Sequence, residues 1–86
     1  MSELLGLLAE SMQLAADLGY LVREEPLGDM PGGGCVVAGQ RQILLNLEQG
    51  PAERLDHLLT VLAADPHIDS EPKSRALAKR LGERQA

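Results

Sequence analysis

Two short β-forming segments followed by a leucine-rich helix constrain the fold of this chain more than any other feature. The first segment covers Cys35–Ala38, the second covers Arg41–Leu47, and Gly39-Gln40 lies between them. A glycine at the first central position suits a type II′ turn, so the pattern predicts a two-residue β-hairpin. A hairpin alone is marginally stable in water, so we expect a helix to cover it.

The register of this hairpin decides which of its side chains face the core. The Gly39-Gln40 turn places Val36 opposite Ile43 on the other strand. Side chains alternate between the two faces of a strand. The predicted core face of the second strand is therefore its more apolar set, Ile43, Leu45 and Leu47. The opposite face carries Gln42, Leu44 and Asn46.

Helical periodicity is found on both sides of the hairpin. Residues 3–18 carry leucines at helical spacing, with Ser2 as the expected N-cap and Gly19 as the residue that ends the helix. A second helix begins at Gly50-Pro51 and stops at Asp65-Pro66, because the residue before proline avoids the helical conformation. Its apolar stripe consists of Leu55, Leu58, Leu59 and Leu62.

The remaining segments complete a single α+β domain over residues 1–86. Residues 20–25 predict a strand that ends at Pro26, and residues 28–34 predict a glycine-rich loop. A third helix is expected after residue 70, with Ser70 or Asp69 as its cap and with Glu71 and Pro72 in its first turn. The order α-β-β-β-α-α predicts an N-terminal helix, a three-stranded antiparallel meander and two C-terminal helices.

The charge of the chain is divided unevenly. The net charge is −5, but residues 1–72 carry −9 and residues 73–86 carry +4. Such a cluster is most often a solvated helix end whose cations favour the helix dipole. The functional interpretation is a candidate interaction site on this basic C-terminal helix, loosely attached and docking on an acidic protein surface, for example that of a second copy. The five cations are Lys73, Arg75, Lys79, Arg80 and Arg84.

The patterns of known catalytic and cofactor sites are missing from the sequence. Gly32–Gly34 precede a strand, whereas the glycines of phosphate loops follow a strand and open a helix. His57, His67 and Cys35 fit no zinc spacing, and we expect His57 to face solvent opposite the leucine stripe. The alternatives for Glu24-Glu25 are a carboxylate dyad and a solvated edge, and the solvated edge is favoured because adjacent strand residues point to opposite faces. The sequence therefore predicts no metal, no cofactor and no enzymatic activity.

The number of cysteines indicates the cellular compartment. A single cysteine cannot form an internal disulfide, so we expect a reducing cytoplasm. Cys35 is interpreted as a half-buried strand residue, with a nucleophile assisted by His57 as the alternative. No apolar run is long enough to cross a bilayer, and the first residues lack the basic region of a signal peptide.

The segment from Ile43 to Asn46, followed by the helix from Pro51 to Leu62, resembles the layout of the zinc peptidases that cleave phage repressors. In those enzymes a hairpin strand ending in Asn precedes a helix with the motif H-E-x-x-H. The corresponding helix here has His57 but lacks the Glu and the second His. The resemblance therefore implies a shared layout without the catalytic site.

A second resemblance covers residues 17–64. Gly33-Gly34-Cys35, Gly39, the strand Ile43–Leu47 and the leucine helix resemble a family of small bacterial proteins with no assigned activity. It implies a bacterial cytoplasmic domain.

Self-association is the functional expectation. Tyr20 is the only aromatic residue, so the core buries little area per residue, and the first helix is apolar around much of its circumference. We expect a non-enzymatic protein-interaction module that acts as a homodimer. Two alternatives remain: a small-ligand or nucleic-acid-binding regulator that uses the basic tail, although binding of nucleic acid by an acidic chain is disfavoured, and a degenerate zincin-like fold.

Overall fold

The computed structural model describes residues 3–30 and 32–85 and has an α+β fold. The predicted order of elements is confirmed, with a short 3₁₀ turn added before the last helix. The predicted cap Ser2 lies outside the described residues. The elements are α1 (Glu3–Asp17), β1 (Leu21–Glu25), β2 (Gly33–Val37), β3 (Gln40–Asn46), α2 (Pro51–Ala63), the 3₁₀ turn Ile68–Ser70 and α3 (Arg75–Gln85).

The sheet is mixed, so the prediction of an antiparallel meander is wrong. The strand order is β1-β3-β2, with β3 in the centre. β2 runs antiparallel to β3, but β1 runs parallel to it, with Leu21 paired to Gln42 and Glu25 paired to Asn46. β1 and β2 are therefore the two edge strands.

Asn46 explains how the chain passes from one edge of the sheet to the other. Its side chain is almost fully buried and accepts a hydrogen bond from Leu27 N–H at 3.0 Å. Its amide group donates to the carbonyl oxygens of Gly28 and Met30, both at 2.9 Å. The connection after β1 is thereby held across the end of β3, which leaves the central position to β3.

The hairpin turn is shifted by one residue from the predicted Gly39-Gln40. The central residues are Ala38 and Gly39, with φ of +51° and +81°. Positive φ at both positions gives a type I′ turn, whose twist matches that of the strands. Val36 consequently pairs with Arg41, and Gly34 takes the place opposite Ile43 that was predicted for Val36.

Two further expectations about these strands are corrected. Gly33 and Gly34 belong to β2 instead of the loop, because pairing with β3 compensates for their flexibility. A side chain at Gly34 would also lie 3.3 Å from a methyl group of Val61 on α2, so the close approach of helix and strand favours glycine. Leu47 is 50% exposed, since β3 ends at Asn46 before its side chain reaches the core.

The core lies between the helices and one face of the sheet. Ile43 and Leu45 face the helices as predicted. The predicted stripe of α2 is fully buried, and its start at Gly50-Pro51 and its end before Asp65 are confirmed. Helix α1 ends as expected, with Gly19 at a φ of +93°. The buried residues of α2 are Leu55, Leu58, Leu59 and Leu62.

Helix α3 begins later than predicted. Glu71 has an extended backbone conformation, as expected for a residue that precedes proline, so no helix can continue from Ser70. Ser74 is the cap: its hydroxyl accepts a hydrogen bond from Leu77 N–H at 3.1 Å. Ser74 also donates from its backbone and its hydroxyl to the carboxylate of Glu10, at 2.7 and 2.6 Å, which ties α3 to α1.

Candidate functional site

The outer edge of β2 is the most unusual surface of the described residues. The strand consists of Gly33, Gly34, Cys35, Val36 and Val37 and has no charged residue and no proline. Val36 is 68% exposed and Val37 is 52% exposed. Edge strands normally carry charges, prolines or bulges that prevent pairing with another chain. β2 has none of these and presents apolar side chains beside its free backbone groups.

The other edge strand, β1, is protected by charge. Its last three residues are Arg23, Glu24 and Glu25, and Pro26 follows. Arg23 forms an ion pair with Glu25, and Arg54 of α2 pairs with Glu24 at 3.2 Å. The predicted solvated edge at Glu24-Glu25 is thus an ion-paired one, and neither carboxylate is positioned as part of a dyad.

The hairpin register determines which backbone groups of β2 are free. The closing pair of a two-residue hairpin, here Val37 and Gln40, is hydrogen-bonded. Hydrogen-bonded and non-hydrogen-bonded pairs alternate along an antiparallel ladder. The N–H and C=O groups of Gly34 and Val36 therefore point away from β3, toward the open edge.

A cleft lies beside β2 on each face of the sheet. On the helix face, a cleft of about 330 Å³ is lined by Gly34, Val36 and the end of α2 at Val61. On the opposite face, a cleft of about 250 Å³ is lined by Gly33 together with Met30 and other apolar residues. Both clefts are largely apolar, so they favour aliphatic side chains as occupants.

A polar cluster closes one end of the helix-face cleft. The carboxylate of Asp65, at the end of α2, is almost fully buried. It accepts hydrogen bonds from the Tyr20 hydroxyl at 2.8 Å, the Arg41 guanidinium at 3.1 Å and His67 N–H at 2.7 Å. The guanidinium also lies over the Tyr20 ring, 4.5 Å from its centroid, which adds a cation–π contact.

The ionisation of this cluster follows from its contacts. Burial by itself would raise the pKa of Asp65, but hydrogen bonds from His67 and Tyr20 and the charge of Arg41 hold that pKa below its usual range. Burial and the neighbouring Asp65 raise the pKa of Tyr20. At neutral pH the cluster therefore contains a carboxylate, a phenol and a guanidinium. Through its three hydrogen bonds the carboxylate holds β3 and the start of β1 against α2.

The histidines and Cys35 do not assemble into a reactive centre. His57 is half-buried and does not belong to the buried stripe of α2. In residues 3–30 and 32–85 no hydrogen bond joins Cys35 to a histidine. Among these described residues, no group of three or more His, Cys, Asp or Glu side chains could hold a metal ion. Cys35 is half-buried in β2, next to both clefts.

Two of the five cations of the predicted basic site are bonded to neighbouring groups of the fold. Arg84 forms an ion pair with Asp56 of α2 and donates to Thr60 at 3.0 Å. Lys73 donates to the carbonyl oxygen of Glu71 at 2.7 Å. Arg75 and Lys79 are exposed one turn apart on α3, and Arg80 is half-buried. The helix that carries them contributes Leu77 and Leu81 to the core, so it is joined to the fold by apolar packing as well as by charge.

Sequence reasoning missed both parts of this site. Asp65 was interpreted only as the end of a helix, and Arg41 only as the start of a strand. The single aromatic residue, Tyr20, was the one sequence signal for a hydrogen bond or a cation–π contact in this cluster. The exposed edge was missed because the meander prediction gave β2 a partner on each side.

No helix of the described residues has the length and apolar character needed to cross a membrane. Compared with protein-family models, curated proteins and solved structures, the chain matches none of them.

Proposed function

We propose that this protein is a non-enzymatic interaction module that acts as a homodimer, with β2 as its interface. The observation that supports the proposal is the uncharged, apolar edge of β2. A second copy is the occupant best suited to it, because two uncharged strands can pair without bringing like charges together. Residues 1–72 carry −9, so two copies would repel each other wherever these acidic surfaces meet.

The protection of β1 supports a closed assembly. Pairing of two β2 strands would produce a six-stranded sheet whose outer strands are the two β1 strands. Their charges and Pro26 oppose further pairing. The predicted assembly therefore stops at two copies, as in the isologous interfaces of most homodimers.

The proposal includes a bacterial, cytoplasmic setting. Its support is the single cysteine, which requires no oxidising compartment. The family resemblance over residues 17–64 points the same way.

Sedimentation equilibrium of three proteins tests the proposed interface. The wild type is expected to sediment at twice its mass of 9.2 kDa at high micromolar concentration. Val36→Lys should weaken the dimer by about 100-fold, because two valines lose their burial and two ammonium groups must be desolvated.

Leu21→Lys is the matched control, since Leu21 is 48% exposed on the other edge strand. At protein concentrations low enough for the wild type to be monomeric, both lysine variants should unfold at the same denaturant concentration as the wild type to within the error of the measurement, because dimerisation itself adds stability. A monomeric wild type, or a Val36→Lys protein that dimerises as well as Leu21→Lys, would overturn the proposal.

A further inference from the structure

We infer that the two β2 strands pair antiparallel about Cys35, so that the two valines of each copy lie beside the two glycines of the other. This inference rests on the proposed homodimer and specifies its register. It follows from the order of small and large residues in β2, from the direction of its backbone groups and from the two clefts.

The strand is complementary to itself. Reversed about its central residue, Gly33 meets Val37, Gly34 meets Val36 and Cys35 meets its own copy. Each exposed valine would thus lie opposite a residue without a side chain. All five residues of β2 are paired in this register. A pairing centred on Gly34 or on Val36 would place part of the strand opposite a turn or loop residue.

The backbone directions permit this arrangement. Gly34 and Val36 have their N–H and C=O groups at the open edge, as the hairpin register requires. In the Cys35-centred register these two residues meet as hydrogen-bonded pairs. Registers centred between two residues are excluded. They would pair a residue whose N–H and C=O groups point to the open edge with one whose groups point to β3.

On the helix face, the cleft beside Gly34 would receive Val36 of the second copy. Side chains of directly opposed residues point to the same face of a sheet and lie about 5 Å apart. Val61 fills the space over Gly34, 3.3 Å from where a Cβ would be, so its methyl groups line the cleft in place of a Gly34 side chain. The valine of the second copy would therefore contact an apolar wall formed by α2.

On the opposite face, Val37 of the second copy would lie beside Gly33. Apart from Gly33 and its two neighbours in the chain, no atom of the described residues lies within 4 Å of the position of a Cβ at Gly33. The adjoining cleft is lined by Leu27, Met30 and Leu44. Met30 is 66% exposed in the single chain, and this contact would cover it. Both exposed valines of β2 thus have an apolar site on the second copy.

The single cysteine provides a reporter for the register. In the Cys35-centred register the two Cys35 residues form a non-hydrogen-bonded pair with Cα atoms about 4.5 Å apart, within the range that a disulfide can bridge. Treatment with diamide removes two electrons and two protons from such a thiol pair and forms one S–S bond, while diamide is reduced to the hydrazine. The wild type should become a covalent dimer within minutes.

The control is Cys35→Ser combined with Val36→Cys, which moves the only thiol by one residue. In the proposed register that thiol lies opposite Gly34, and its own copy is a diagonal neighbour about 7–8 Å away, beyond disulfide reach. We expect its oxidation to the covalent dimer to be at least tenfold slower than that of the wild type. Sedimentation of the reduced proteins establishes first that both are dimers.

The outcomes separate the register from the proposed function. Dimers in which the shifted thiol is oxidised as fast as Cys35, or faster, would overturn the register and leave the β2 interface in place. Reduced proteins that sediment as monomers would overturn both. Fast oxidation at Cys35 alone, in proteins that are dimers when reduced, supports the register.

Discussion

The two edge strands of the sheet have similar lengths and opposite surfaces. β1 ends in Arg23, Glu24 and Glu25, with ion pairs within the strand and to α2. β2 has no charge and exposes Val36 and Val37. Charge on an edge strand discourages pairing because it must be desolvated, whereas aliphatic side chains gain free energy when they are covered. The charges of β1 therefore oppose pairing with another chain, whereas β2 has no such protection.

The strands also differ in how the fold holds them. Tyr20, just before β1, is hydrogen-bonded to Asp65, so the start of β1 is tied to the end of α2. β2 depends on Gly32, where φ is +87° and a Cβ would lie 2.5 Å from the carbonyl oxygen of Leu44. The open edge is therefore positioned by a glycine and the protected edge by a buried polar cluster. The following predictions test this contrast, beginning with the largest expected effect.

Removing core volume should weaken both edges together. Leu59 is fully buried on α2, in the core that supports the sheet. Leu59→Ala should lower the free energy of unfolding by about 2–5 kcal/mol, through lost burial and the cavity left behind. Urea denaturation measures the change. An unchanged transition midpoint would mean that the two edges do not depend on a shared core.

A side chain at Gly32 should disturb β2 selectively. Gly32→Ala combines an unfavourable positive φ with a backbone clash, so we expect a loss of about 2 kcal/mol or more. Gly28→Ala is the matched control: its φ is +61°, but no atom lies within 4 Å of its Cβ position, so its cost should be about 1 kcal/mol. Relative to the wild type, the rate of amide hydrogen exchange in Gly32→Ala should rise more in β2 than in β1. Equal costs for the two variants would contradict the role given to the clash.

Because of the polar cluster, the free energy of unfolding should decrease at acidic pH. The pKa of Asp65 is lower in the folded protein than its ordinary value of 3.8. Its contribution to stability is therefore present above that value and is lost as the pH falls through the folded pKa. Asp65→Asn should cost about 1–3 kcal/mol at pH 7, because the buried hydrogen-bond donors lose a charged acceptor. The difference between wild type and variant, measured by urea denaturation, should shrink below about pH 4. A difference independent of pH would contradict the assignment to Asp65.

Salt should have the smallest effect, and its sign is informative. The β2 interface carries no charge, while two acidic bodies repel each other across it. Raising the salt concentration screens that repulsion, so dimerisation should strengthen slightly, by a few-fold at most. Sedimentation equilibrium at low and high salt measures the change. Weaker dimerisation at high salt would instead favour docking through the basic residues of α3.

Local patterns in the sequence predicted the order and the approximate bounds of the elements. The leucine stripe of α2, its start at Gly50-Pro51, and Gly19 at the end of α1 are short-range signals, and all three are confirmed. Such signals depend on the periodicity of one segment and on the conformational limits of glycine and proline, which do not change with the rest of the fold.

The partners of each element were decided by the tertiary structure. The position of β3 between β1 and β2 depends on a loop held by the buried Asn46, a contact with residues about 18 positions away. The turn lies at Ala38-Gly39, although the sequence also fits Gly39-Gln40 and both turn types suit the twist of the strands. The observed turn gives the register in which Gly34 lies opposite Ile43, where Val61 of α2 approaches closely.

The candidate site shows the same division. Its residues could be named from the sequence, since Val36, Val37 and Cys35 were predicted to form a strand. Their exposure could not be foreseen, because an antiparallel meander would have placed that strand in the centre of the sheet. The sequence by itself determined that β2 is apolar and uncharged. Only the tertiary structure, by placing β3 in the centre, made that strand an edge, and edge position is what leaves its backbone groups and apolar side chains exposed.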